Sequence, residues 1–374
     1  MKSNLAHRYR PVLAAVSAGL LSAFATASSS AAGLSLTGDS FASGTSTPFS
    51  TPGAAASALR APIATLGVAD DGKDMKETKA VVPPEKGPLF DLLLSIDFAN
   101  EYVTPRGMIV RDKGLTYQPL LLMFINCYKG DGFINSFQVV GGVWNDLGTS
   151  SVSSHGPFGS DPKSPWTEID PIGGIAVGFA KNFKLEVTYT AFIEEILDIG
   201  PSHHLFTKLS YDDSEYFHGF GFHPYFMYWQ ELDNKGTDAD LPYALFGPSA
   251  SSGSHPQPGP SFYLEVGITP SYTFKNLGGL TLEAPCRLML PDNRFYGEYY
   301  KSSPTIGIGL YEVGVKATMP LDFMPKGFGH WSAHVGARYM NFVNDNLYEL
   351  NTFNAPAQPT RYTWQIYGGV SVFF

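Results

Sequence analysis

Charged side chains recur at alternate positions within otherwise apolar stretches of this sequence: Lys184 and Glu186, Glu265, Glu283 and Arg287, Lys316, His334 and Arg338, with Asp97 in a similar setting. Residues two apart lie on one face of an extended chain, because successive side chains of a strand point to opposite sides. That face carries both signs. If the charges stand across an aqueous passage, they create a transverse field that sorts small solutes. If they touch, they pair off and fill the space as structural ion pairs. The sequence leaves both outcomes open.

Other chemistry-bearing residues are sparse. His330-Trp331-Ser332 sets a His and a Ser two apart on one strand face, a spacing available to a general base and a nucleophile. His203-His204 and the series His218, Phe220, Phe222, His223 lack a regular carboxylate partner, so they mark a rim and no metal site is expected. No Gly-rich phosphate loop, CxxC pair or HExxH motif occurs, and no cofactor is expected. A formal net charge of -9 argues against nucleic acid, which calls for a basic patch.

The elements that hold these residues read as strands. The last fifteen residues are the clearest case: Tyr362, Trp364, Ile366, Gly368, Val370, Val372 and Phe374 alternate with Thr363, Gln365, Tyr367, Gly369, Ser371 and Phe373. One face suits hydrocarbon, with aromatic residues at both ends of an aliphatic middle, as a membrane-crossing strand of about ten residues requires. Here the chain resembles bacterial outer-membrane β-barrels, whose final strand typically ends in an aromatic residue read by the assembly machinery. The resemblance implies that Tyr362, Trp364, Val370, Val372 and Phe374 form an assembly signal.

Similar segments recur from Phe90 onward, and about twelve can be counted. The second, Thr116 to Tyr128, is apolar on both faces and contains Pro119, so its orientation stays open. The sixth (His204 to Tyr211) and seventh (Phe217 to Leu232) are the least regular. The eighth sets Phe262, Leu264, Val266 and Ile268 against Tyr263, Glu265 and Gly267. The tenth changes phase between Leu310 and Val313, which predicts a β-bulge. Odd-to-even connections are mostly long, notably Asp146 to Trp166, Asp233 to Pro260 and Val343 to Pro359, whereas several even-to-odd turns, around Lys181, around Lys275 and from Lys129 to Ile134, are short. Long outer loops and short inner turns would put both ends of the barrel in the periplasm. Ten or fourteen strands would also satisfy the pattern. Cys127 and Cys286 would lie nearly opposite each other on strands two and nine and read as unpaired.

The N-terminal quarter has another character. Residues 1–27 have a positive start (Lys2, Arg8, Arg10), an apolar core from Val12 to Phe24 and a small-residue Ala25-Thr26-Ala27 site, the form of a secretory signal peptide. Residues 28–87 are rich in Ser, Thr, Ala, Gly and Pro and bury too little apolar area to order, so a disordered linker is expected. The expected fold is therefore all-β: residues 88–374 form one antiparallel transmembrane barrel in a cell outer membrane.

Closure fixes which way the charges point. Backbone groups in hydrocarbon must all pair, so the strands can cross only as a ring. Asp97, Lys184, Glu186, Glu265, Glu283, Arg287, Lys316, His334 and Arg338 then face the lumen, since on the lipid side each would cost roughly 2–4 kcal/mol at the midplane. These nine are the pore-lining candidates. Acids in the long loops (Asp146, Asp161, Glu168, Asp170, Asp233, Asp238, Asp240) favour cations at the mouth. A second resemblance rests on Asn100-Glu101-Tyr102-Val103 leading to Arg106-Gly107, then Tyr117-Gln118-Pro119, Gly141-Gly142-Val143-Trp144 and Glu168-Ile169-Asp170. This order is similar to that of TorF-type putative porins, and it departs from them at Thr104-Pro105 and in the Asp146 to Trp166 loop. It implies a diffusion channel with no catalytic residues.

The expected function is passive diffusion of small solutes or ions through a barrel that contacts the lipid bilayer and the assembly machinery. The alternative is a structural or adhesive barrel with a plugged lumen. A barrel lipid hydrolase is a third class: outer-membrane phospholipase A spaces its base and nucleophile as His330 and Ser332 are spaced. Parity puts these two toward the lumen, where a lipid hydrolase would not need them.

Overall fold

The computed structural model describes residues 89–149, 165–194, 201–232, 261–292, 295–296, 306–345, 347–348, 351 and 360–374. The expected leader and linker lie outside these residues, as do Asp161, Asp233, Asp238 and Asp240.

Twelve antiparallel strands follow one another around a closed ring. They are β1 (Phe90–Ala99), β2 (Thr116–Lys129), β3 (Ile134–Gly148), β4 (Trp166–Phe179), β5 (Phe183–Glu194), β6 (Ser202–Tyr211) and β7 (Tyr225–Glu231). Then come β8 (Phe262–Ile268 and Ser271–Phe274), β9 (Leu280–Glu283 and Cys286–Pro291), β10 (Leu310–Pro320), β11 (His330–Phe342) and β12 (Tyr362–Phe373). Each strand pairs with the next, and β12 pairs back onto β1 from Leu93↔Phe373 to Ala99↔Tyr367. The ring therefore has no free edge.

The period-two pattern becomes an inside and an outside. On β12, Trp364 and Ile366 are 57% and 62% exposed, whereas the alternating Thr363 and Gln365 are buried. Leu94, Ile96 and Phe98 on β1, Leu121 and Met123 on β2, and Val313 and Val315 on β10 continue the same exposed apolar face. A continuous apolar surface on this scale is a liability in water and the natural contact for hydrocarbon. Val372 shares the outward register but is buried, because the β10–β11 turn at Gly329 lies against its side chain.

Three sequence expectations change. No bulge interrupts β10, whose register with β11 runs unbroken from Leu310↔Phe342 to Pro320↔Ser332. Leu310 points inward into an apolar core, and the expectation failed because it took every inward residue to be polar. Register shifts occur instead around Cys127 on β2 and at both ends of β3. Second, Asp146, Glu168 and Asp170 do not belong to a loop: β3 continues to Gly148 and β4 begins at Trp166, and all three acids are buried. Third, β7 spans only Tyr225–Glu231, with Phe220–Gly221 pairing separately onto β8. The orientation left open for β2 is settled by Leu120, Leu122 and Phe124, which pack inward with Leu93, Val140, Trp144 and Ile172. Cys127 and Cys286 are both free thiols.

Candidate functional site: a loop across the lumen

The nine charged residues singled out in sequence sit on the inner face. On β8 to β11 they form a chain: Arg287 Nη1 lies 2.8 Å from Glu265 Oε2, and Arg287 Nη2 lies 2.8 Å from Glu312 Oε2. Arg338 Nη1 is 3.7 Å from the other Glu312 oxygen. Arg287 and Glu312 are directly opposite in register, as are Glu283 and Lys316, whose charged atoms are 3.3 Å apart. Directly facing positions on paired strands bring side chains close enough to interact, so register alone makes these pairs. Lys184 Nζ lies 3.1 Å from Glu186 Oε1 on its own strand, and His334 Nε2 contacts Asp97 Oδ1. Most of these side chains are buried, so each charge is held by its opposite and not by water.

Two further members were missed. Glu312 follows Leu310 on the inner face of β10 and would have been found by reading that strand without a bulge. Lys208, on the irregular β6, stacks its ammonium 4.4 Å from the Tyr225 ring centroid, and the Tyr225 hydroxyl donates to Glu265 at 2.7 Å.

On the β6 to β11 side, toward the end of the barrel that carries the long connections, the interior becomes largely apolar. Trp229 is its centre, stacked on Phe206 at 5.1 Å and on Tyr263 at 5.3 Å, with Phe295 edge-on to Tyr263 at 5.2 Å. Met289, Leu310, Met340 and Phe342 complete this core from β9, β10 and β11.

Into this core folds the β1–β2 connection. Tyr102–Val103 pairs with Ile109–Arg111, and the turn between them closes with Gly107 N–H donating to the Thr104 carbonyl at 2.9 Å. Every residue from Glu101 to Ile109 is buried. Gly107 has φ +87 and leaves no room for a Cβ, which would meet the Leu310 and Leu347 side chains. Only glycine takes up this conformation and this contact together.

The contacts of this loop reach opposite walls. The Tyr102 hydroxyl donates to Glu168 on β4, and Arg111 lies 3.7 Å from Asp146 on β3 and donates to Thr167 on β4. The Arg106 guanidinium sits 4.4 Å from the Phe192 ring centroid on β5. Its neighbour Gly107 abuts Leu310 on β10 and Phe342 on β11, while Glu101 accepts from Thr363 on β12 at 2.7 Å. In a ring of twelve, β5 and β11 are diametrically opposed, so residues 106 and 107 bridge the lumen. Asn351 ties the loop to the β11–β12 connection, accepting from Ile109 N–H at 2.9 Å and donating to the Gly107 carbonyl at 2.8 Å. Burial pushes the Glu101 carboxyl up to about 7, despite the Thr363 hydroxyl and Arg338, which pull it down.

The residues in this loop and the acids it meets are largely those of the second sequence resemblance: Glu101, Tyr102, Val103, Arg106, Gly107, Trp144, Glu168 and Asp170. They are scattered over three stretches of chain, and the fold gathers Tyr102, Trp144 and Glu168 into contact.

His330 and Ser332 start β11 beside Phe373 and Ser371. A different Ser and His do touch: Ser202 Oγ lies 2.6 Å from His204 Nε2, and Ser202 Oγ donates to Glu231 at 3.3 Å. The donor-only Trp229 indole N–H is directed at His204 Nδ1 at 2.9 Å. That bond leaves the proton of a neutral ring on Nε2, where it is donated to Ser202. A base must accept the proton of its nucleophile, and here the direction is reversed.

No protein-family model matches the chain, and no curated protein sequence matches it. Solved structures to which it is similar include the β domain of the Bordetella autotransporter BrkA, at 8% identity over 76% of this chain and 98% of that one, with a TM-score of 0.35. Outer membrane phospholipase A from Escherichia coli aligns at 12% identity over 75% of this chain and 92% of that one, and OprB of Pseudomonas putida at 9% over 76% and 94%. Both have TM-scores of 0.35.

Proposed function

We propose that this protein is an outer-membrane barrel whose lumen is held shut by its β1–β2 loop, so that its resting state is plugged. The observation that carries the proposal is the pair Arg106 and Gly107, adjacent in sequence and packed on β5 and on β10 and β11 respectively. The apolar outer face supports residence in lipid, and the aromatic Tyr362, Trp364 and Phe374 fit the part of an assembly signal. The proposal assigns no catalysis.

A second reading is favoured by one observation: beneath the apolar core the inner wall carries a belt of both signs. With the loop displaced, that belt would line a narrow passage for small solutes or ions, in keeping with the similarity to TorF-type putative porins. Planar-bilayer recording separates the two. The intact protein is expected to insert silently, and discrete steps from it would overturn the plugged resting state. Gly107→Val, which drives a side chain into Leu310 and Leu347, is expected to produce steps if a gated channel lies beneath, and none if the barrel is purely structural.

A further inference from the structure

We propose that the turn joining β6 to β7 binds a divalent transition-metal cation through His223 Nδ1 and the carboxylates of Asp212 and Asp213. One suitable oxygen or nitrogen from each residue lies within 4.8 Å of the other two. His223 Nδ1 is 3.5 Å from Asp212 Oδ1 and 4.0 Å from Asp213 Oδ1. A direct charge-assisted hydrogen bond would be shorter, about 2.7–2.9 Å. Ligands that share one cation through bonds of about 2.0–2.2 Å in tetrahedral geometry stand roughly 3.4 Å apart. The observed spacing matches the shared cation better than the direct bond.

Each of the three side chains is held in place by hydrogen bonds. Asp213 Oδ1 accepts from the backbone N–H groups of Phe222 at 2.8 Å and His223 at 2.9 Å, which draws the two ends of the turn together. Asp212 Oδ1 accepts from Ser214 N–H at 3.0 Å and from its hydroxyl at 2.7 Å. His223 Nε2 is bonded to Ser271 Oγ on β8 at 2.8 Å. A second partner on the far ring nitrogen is what orients a metal-binding imidazole and fixes its tautomer. Gly221 supplies the space: a Cβ there would meet the His223 ring and Asp213 Oδ1, so the cradle exists only with glycine at that position.

The donor set decides the ion. One imidazole and two carboxylates suit zinc, manganese or cobalt, while calcium wants six or more oxygens. Two carboxylates also neutralise a divalent charge. The nearby Glu215 is engaged by Lys181 at 2.5 Å. The Asp212 side chain is 59% exposed, so an ion and its water reach the site from solvent. Sequence spacing hid the cluster, because Asp213 and His223 are ten positions apart.

The test uses the full chain refolded in detergent and freed of metal. Cobalt(II) chloride is titrated in and followed by its visible spectrum, and zinc chloride is titrated by calorimetry. The expected result is one saturable site with a tetrahedral cobalt spectrum. It should be lost in His223→Ala and weakened about tenfold or more in Asp212→Asn, whose neutral side chain still accepts from Ser214. Asp213 is left intact because it holds the turn. No binding by the unaltered protein would overturn the proposal. Binding unchanged in both variants would overturn it equally and point to other surface histidines.

Discussion

Asp97 and His334 are on strands that do not pair, yet the His334 imidazole meets the Asp97 carboxylate across β12. Both are in register with Gly369, Asp97 from β1 and His334 from β11. A Cβ on Gly369 would meet the Asp97 carboxylate, the Ile96 carbonyl and the His334 ring. Barrel closure and this buried pair therefore depend on the same missing side chain.

Gly369→Ala is the corresponding prediction. In an ordinary strand this change stabilises by roughly 0.5–1 kcal/mol. Here the Ile96 carbonyl is backbone and cannot swing aside, so overpacking wins and the expected loss is about 1–3 kcal/mol. A lower urea midpoint of the refolded barrel checks it, and an unchanged or higher midpoint would refute the account of the seam.

Arg287 holds two carboxylates, Glu265 and Glu312, inside the barrel. Removing one partner of a buried pair leaves uncompensated charge and costs about 3–5 kcal/mol. Arg287→Ala is expected to fall in that range. Arg287→Met combined with Glu265→Gln should recover most of the loss, because Glu312 keeps Arg338 as its partner and Glu265 no longer carries a charge. If this double variant is no better than the single, the cost lies in packing and not in charge.

Much of this arrangement was legible in sequence for a plain reason: closure turns parity into geometry. Once Glu265 and Arg287 occupy the inner positions of strands that pair, they must lie near each other, and the chain yields the ring and its charged belt together. The loop across the lumen was not legible. Arg106 lies in a connection with no period, and nothing local says that it will cross to Phe192 while Gly107 reaches Leu310. The apolar inner residues Leu122, Trp229 and Leu310 were the available signal. Apolar inward positions in a wide barrel need something to pack against, and the alternation rule treated them as irregularities.

Glu101 gives the buried β1–β2 loop a pH dependence whose sign can be worked out. Its carboxyl titrates near the ordinary value of 4.5 in the unfolded chain and at about 7 when the loop is lodged. Between those values the folded state binds the extra proton, so stability is full below pH 4.5 and falls as pH rises to about 7. The shift corresponds to a loss on the order of 3 kcal/mol. The difference in urea midpoint between the unaltered protein and Glu101→Gln should therefore change across this window and level off above it. A difference independent of pH would mean that Glu101 is not buried by the loop.

The same inside-and-outside division can be read in lipid by tryptophan. Trp364 is 57% exposed on the outer face, whereas Trp144 and Trp229 are sealed in the interior, one against Tyr102 and the other within the aromatic stack. Brominated acyl chains quench only indoles that touch hydrocarbon. In vesicles of brominated lipid, the unaltered protein should lose part of its emission, and Trp364→Phe should lose a smaller fraction because the lipid-facing contribution is gone. Trp229→Phe should do the opposite and raise the quenched fraction, since it removes an indole that lipid cannot reach. Equal quenching in all three would mean that the apolar face on β12 does not meet lipid, and the outer-membrane assignment would fall with it.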